Sequence, residues 1–139
     1  MRKETSLTLF RAIAWFVAIY HAILGLIGIF GSPGVLSQVI AWTYRLHPKL
    51  DPQFLLLVRF TGSYLLALGI MMMMVARNPR EYSVFIWPTV AMFATRLIDI
   101  TMNFSGIQTA FGAGPIDVLI TVGLIVFFGG TLIVFKPRE

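Results

Sequence analysis

Over most of this chain apolar positions neither alternate nor keep to one helical face. They run almost unbroken through four stretches, about residues 7–30, 54–76, 84–104 and 114–135. Each reaches the roughly 20 residues that an α-helix needs to cross a ~30 Å hydrocarbon core. The pattern predicts an all-α membrane protein with four transmembrane helices in an antiparallel bundle, one domain over residues 1–139. The first run, Leu7 to Phe30, follows Met1-Arg2-Lys3 and invites comparison with a secretory signal. It exceeds the usual apolar length of such signals and reads as a retained span. Connections near 77–83 and 105–113 are short, so successive helices are expected to be antiparallel neighbours.

The longer 31–53 connection has a pattern of its own. Ser32-Pro33 reads as an N-cap followed by proline at the first helical position. Val35, Leu36, Val39, Trp42, Thr43 and Leu46 then recur at helical spacing until Pro48. With Trp42, Tyr44 and Arg45 close together, this predicts a short amphipathic helix in the outer membrane interface. An ordinary packed loop helix is the competing reading. Small residues mark contact faces: Ala14, Ala18, Ala22 and Gly25 in the first run, and Gly62, Ser63 and Ala67 in the second.

Composition sharpens the membrane assignment. The chain is 58% hydrophobic and 12% charged, with a mean hydropathy of +0.84, whereas a soluble domain carries about a quarter charged residues. Cysteine is absent, which excludes disulfides, thiolate catalysis, Fe–S clusters and Cys-ligated metals. The net charge of +5 comes from basic residues scattered beside the spans, not from a nucleic-acid-binding run. Arg2, Lys3, Arg11, Arg77, Arg80, Lys136 and Arg138 fall on one side, and only Arg45 and Lys49 on the other. That bias predicts both termini in the cytoplasm, with the chain in a bacterial inner membrane contacting lipids and further subunits or copies of itself.

Against this background the ionisable residues inside the runs stand out: His21, Arg59, Arg96, Asp99 and Asp117. An Arg or Asp at a span's centre costs roughly 2.5–3.5 kcal/mol on insertion scales, so each needs a partner or a polar surface. Thr89, Met92, Arg96, Asp99 and Asn103 form a three-four stripe that must face protein or water. Arg59, Arg96, Asp99, Asn103 and Asp117 make up a candidate intramembrane polar cluster, structural or ligand-binding, in which Arg59 and Asp99 can pair if their faces match. Asp117 follows Gly114-Pro115, so its carboxylate belongs to a first helical turn and complements the macrodipole. His21 is either a packed, hydrogen-bonded histidine or a ligand to a haem or chlorophyll-type metal. Met71 to Met74 cannot converge on one copper ion, because four consecutive helical residues point around about 300° of arc. No nucleophile elbow, glycine-rich phosphate loop or zinc-type histidine pair is present.

Arg59-Phe60-Thr61-Gly62, Leu65-Leu66-Ala67-Leu68-Gly69 and Ala76-Arg77-Asn78-Pro79, followed by Arg96 and Asp99, resemble small four-helix membrane proteins of the DoxX and BphX-like type. The resemblance implies four membrane helices and, for DoxX, a place as a membrane subunit of a quinone-linked oxidoreductase. With small-residue faces and no catalytic set, the leading expectation is a non-catalytic accessory subunit of a larger membrane complex, of electron-transfer or pigment-bearing type. The alternative is a small-solute or proton-coupled transporter or ligand binder using Arg59, Arg96 and Asp99.

Overall fold

The computed structural model describes residues 2–137, apart from the side chains of residues 2–5, Tyr44 and Phe111. Its helices are α1 (Arg2–Phe30), α2 (Pro33–Tyr44), α3 (Pro52–Arg77), α4 (Ile86–Met102, entered through a 3-10 turn at Ser83–Phe85), α5 (Phe104–Phe111) and α6 (Pro115–Val134). No strand occurs among the described residues. Four stretches, Ser6–Phe30, Pro52–Arg77, Ser83–Met102 and Pro115–Val134, are long and apolar enough to cross a membrane. They match the four predicted runs to within about two residues.

Helix starts follow local capping chemistry. Ser32 Oγ accepts from the Val35 N–H at 3.4 Å ahead of Pro33, and Asp51 Oδ1 accepts from the Phe54 N–H at 2.8 Å ahead of Pro52. Gly114 precedes Pro115, and Asp117 Oδ2 reaches back to the Gly114 N–H at 3.1 Å. Proline fits each first turn because the donor it lacks would have no intrahelical acceptor there.

Two expectations need correction. The loop helix does not run on toward Pro48. It stops at Tyr44, and Arg45 turns into the left-handed region at φ 53°. The 105–113 connection is also not a plain loop. The chain leaves α4 at Asn103 (φ −111°, ψ 21°) and re-forms a helix, α5, that ends at Gly112. Gly112 has φ 67°, a conformation that glycine adopts without a Cβ penalty.

The tightest contact in the molecule joins α1 and α3, which run antiparallel. A Cβ added at Gly25 would lie 2.5 Å from Leu66 N, one at Gly28 2.9 Å from Gly62 Cα, and one at Gly69 2.7 Å from Ala22 N. The two backbones therefore touch at three successive levels, a proximity only small residues permit. The first-span stripe of Ala14, Ala18, Ala22 and Gly25 is buried as expected. In α3 the expectation holds only for Gly62. Ser63 and Ala67 are exposed, and Gly69, one heptad beyond Gly62, carries the contact instead.

The second pairing is α4 with α6, held by Phe93 against Gly129 and by Lys136 Nζ, 5.2 Å from the Trp87 ring centre. Helix α1 also meets α6, where Phe16 and Phe128 stack at 5.0 Å. Despite their short connection, α3 and α4 share only a small contact. The buried core lies toward the end that holds the termini, and includes Phe10, Ala14, Val17, Ala18, Met72, Val75, Ala76, Ile86, Phe93, Ile125 and Leu132. Half of the most apolar window of α1 is buried, against 17% for α3 and α4 and 22% for α6. Helix α1 is therefore the central element, and the others turn mostly apolar flanks outward. The accessible surface of 9119 Å² exceeds the ~7,200 Å² expected of a compact soluble monomer of this mass.

Candidate functional site

At the end opposite the termini the elements part around a half-open cavity of about 190 Å³. Its wall is formed by Arg96, Asp99 and Ile100 of α4, Asp117, Val118 and Thr121 of α6, Ile107 of α5, Ala113, and Leu46 from the segment after α2. The three-four stripe of α4 explains how the polar groups arrive there. Thr89 is fully buried in the core, Arg96 is half-buried, and Asp99 and Asn103 are exposed. One helical face thus passes from the core into the cavity, as the spacing predicts.

Each carboxylate is held in a distinct way. Asp117 Oδ1 accepts from Arg45 Nη1 at 2.9 Å while Oδ2 accepts from the Gly114 N–H. Its backbone oxygen accepts from Thr121 Oγ1 at 3.0 Å. Asp117 therefore occupies the first turn expected of it, and its charge is matched by Arg45 and by the helix N-terminus. Asp99 Oδ1 accepts from Asn103 Nδ2 at 2.6 Å, a neutral donor that fixes the carboxylate without cancelling its charge. The Arg45–Asp117 pair also holds the left-handed turn after α2 against the start of α6. Its side chains are 57% and 25% exposed, so it sits at the solvent-facing rim of the cavity.

The sequence cluster is thus divided. Arg96, Asp99 and Asp117 share the cavity, and Asn103 supports Asp99 from just outside it. Arg59 does not join them. It is exposed on α3, makes no ion pair among the described residues, and has Tyr64, 76% exposed, on the same helix. The expected meeting of Arg59 with Asp99 does not occur, because the contact face of α3 is set by Gly62 and Gly69 against α1. Arg59 lies off that face. Arg45, read from the sequence as an interfacial residue, is the base that Asp117 meets. Trp42 is 87% exposed, whereas Leu36 on the same helix is buried. The Tyr44 side chain lies outside the described residues.

His21 is 4% exposed, and its Nδ1 lies 2.7 Å from the Val17 carbonyl. A carbonyl only accepts, so Nδ1 carries the proton and donates it. Tyr20 packs edge-on at 5.2 Å, and Phe93 of α4 lies 6.0 Å away. The ring faces α4, away from the Ala22–Gly25 contact with α3. No group of three or more histidine, aspartate or glutamate side chains suited to a metal ion occurs among the described residues.

Leu46, Ile107, Ala113 and Thr121 were not legible as site residues. Thr121 had a signal, since it lies one turn beyond Asp117 on the same helix face; the others depend on how α5 and the 45–51 segment fold back. No protein-family model, curated protein or solved structure matches the chain.

Proposed function

We propose that this chain is an integral protein of a bacterial inner membrane, its four long helices forming an antiparallel bundle with both termini cytoplasmic, and that it binds a small polar ligand from the outer side without transforming it. The observation that carries this reading is the convergence of Arg96, Asp99 and Asp117, with Thr121, on one half-open cavity whose remaining wall is apolar. Both elements that bring these charges to the cavity wall, α4 and α6, are long apolar helices of the spanning type, where ionisable groups are costly and mark sites.

The test is native mass measurement after extraction in mild detergent. Wild-type protein is expected to retain a small bound mass that the cavity-filling variant Ala113→Leu loses. Identical adducts on both proteins would reject the cavity as the site. Orientation is supported by the seven-to-two basic bias. Single cysteines at Ser37 and Glu81, both exposed, should label differently in intact cells with an impermeant reagent. Position 37 is expected to react; reaction at 81 alone would invert the topology.

A second reading, the accessory subunit of a larger membrane complex, is favoured by one observation. Arg59 presents a charge on an outward flank of α3 that also exposes Leu56, Phe60 and Tyr64. A partner subunit with an acidic group would cover it, and a DoxX-like role would place such a partner there. In the same native measurement, co-migration with a stoichiometric larger assembly that is lost in Arg59→Leu would favour this reading.

A further inference from the structure

Resting on the binding reading above, we propose that residues 32–51 form a flap over the outer mouth of the cavity, hinged on the α1–α3 pair and latched to α6 by Arg45 and Asp117. The hinges lie at Ser32 and Asp51. Each precedes a proline and sits in extended backbone, at φ −67° and −74°, so the flap joins α1 and α3 through a non-helical residue at either end. The base it hangs from is rigid, because Gly25 and Gly28 of α1 meet Leu66 and Gly62 of α3 backbone to backbone. Leu36 packs beside Gly31 near the first hinge, and the contact of α2 with α1 is small.

The far end of the flap is held differently. Helix α2 stops at Tyr44, Arg45 turns into the left-handed region, and its Nη1 reaches Asp117 Oδ1 on α6 at 2.9 Å. From there exposure alternates. Arg45, His47 and Lys49 are exposed, whereas Leu46, Pro48 and Leu50 are half-buried. Extended chain with one side against protein gives this pattern, and Leu46 is the side chain it lends to the cavity wall. The ion pair is exposed on the Arg45 side and half-buried on the Asp117 side, a setting in which such pairs are weak and yield to salt. It also pins a non-glycine residue in a conformation that L side chains rarely adopt. The buried core lies at the other end of the molecule, so release of this contact frees the flap without opening the bundle.

The chain has no cysteine, so a single Thr121→Cys reports access to the cavity it lines. Thr121 lies about 6 Å deeper than Asp117 along α6. The probe is a neutral maleimide with a short polyethylene glycol tail, too large for a volume of about 190 Å³ while the flap is closed. It is applied to the purified full chain in uncharged detergent. Labelling of Thr121→Cys is expected to be slow, and about fivefold faster when Arg45→Gln is added, the upper range for loss of a partly exposed ion pair. Arg45→Lys keeps the charge and should restore most of the slow rate. Raising salt from about 0.05 M to about 1 M should speed labelling of Thr121→Cys but not of the Arg45→Gln protein, where screening has no pair to act on. Val17→Cys, buried in the core, should stay unreactive in both backgrounds.

An unchanged rate in Arg45→Gln, or a salt effect that persists there, would overturn the flap. Val17→Cys becoming reactive alongside Thr121→Cys would overturn it too, since the variant would then have loosened the whole bundle. Should Arg45→Gln fail to fold, the salt response of Thr121→Cys alone decides, and its absence rejects the latch. No ligand enters this assay, so the two readings fail separately. A flap that opens as expected in a protein retaining no bound mass would reject ligand binding and keep the flap. A retained mass lost in Ala113→Leu, with labelling indifferent to Arg45, would keep the cavity as a site and reject the flap.

Discussion

Gly25→Leu and Gly69→Leu should each destabilise the protein more than other substitutions of comparable size. The atoms a new Cβ would meet at these positions belong to the backbone of the opposite helix, at 2.5 Å from Leu66 N and 2.7 Å from Ala22 N. A flexible side chain could rotate away; a helix backbone cannot. Overpacking by added methylenes usually costs about 1–3 kcal/mol, and forcing two helices apart along their shared face lies at or beyond the top of that range. Even Gly69→Ala should lower the unfolding midpoint in detergent. Gly123 provides the internal control, because it lies within α6 with nothing inside 4 Å of an added Cβ. Gly123→Ala should be neutral, or stabilising by up to about 1 kcal/mol through helix propensity. Equal effects of Gly69→Ala and Gly123→Ala would show that α1 and α3 do not approach this closely.

Phe93→Ala should cost about 3–5 kcal/mol, the usual range for deleting a buried phenylalanine ring. Phe93 is 8% exposed and joins three helices: it lies on α4, its ring is 6.0 Å from His21 of α1, and it fills the space beside Gly129 of α6. The nearest atoms to a Cβ at Gly129 are both from Phe93, at 3.4 and 3.8 Å. Gly129→Leu alone should therefore clash, whereas Gly129→Leu added to Phe93→Ala should refill part of the vacated volume. The double variant is expected to be more stable than the sum of the two single effects allows, by well over the ~0.5 kcal/mol within which independent sites add. Simple additivity in chemical or thermal unfolding would mean that Phe93 and Gly129 do not share a packing space.

Both predictions rest on contacts invisible in the linear pattern, and the contrast shows where sequence reading stopped. The span limits, the helix starts at Pro33 and Pro115, and the first-turn position of Asp117 follow from properties confined to a few neighbouring residues. They are the length of an apolar run, a capping oxygen, and a proline where no donor is needed. The polar stripe of α4 was legible for the same reason, since a three-four spacing assigns residues to one face whatever that face meets. Helix α5 was missed because Phe104 prolongs the apolar run past the break at Asn103.

Which flank of each span meets which neighbour could not be read this way. In a soluble helix the apolar stripe points to the core, but lipid is as apolar as packed protein, so a span can be apolar all round and carry no rotational signal. Ser63 and Ala67 looked as suitable for contact as Gly62, and Arg59 looked able to meet Asp99 across the helices. The sequence by itself determined four apolar helices, their caps and the rows of polar residues upon them. Only the tertiary structure chose Gly69 over Ala67, turned His21 toward Phe93, left Arg59 outside, and set Arg45 against Asp117. Those choices depend on backbone-to-backbone fit between residues distant in the chain, which no local periodicity records.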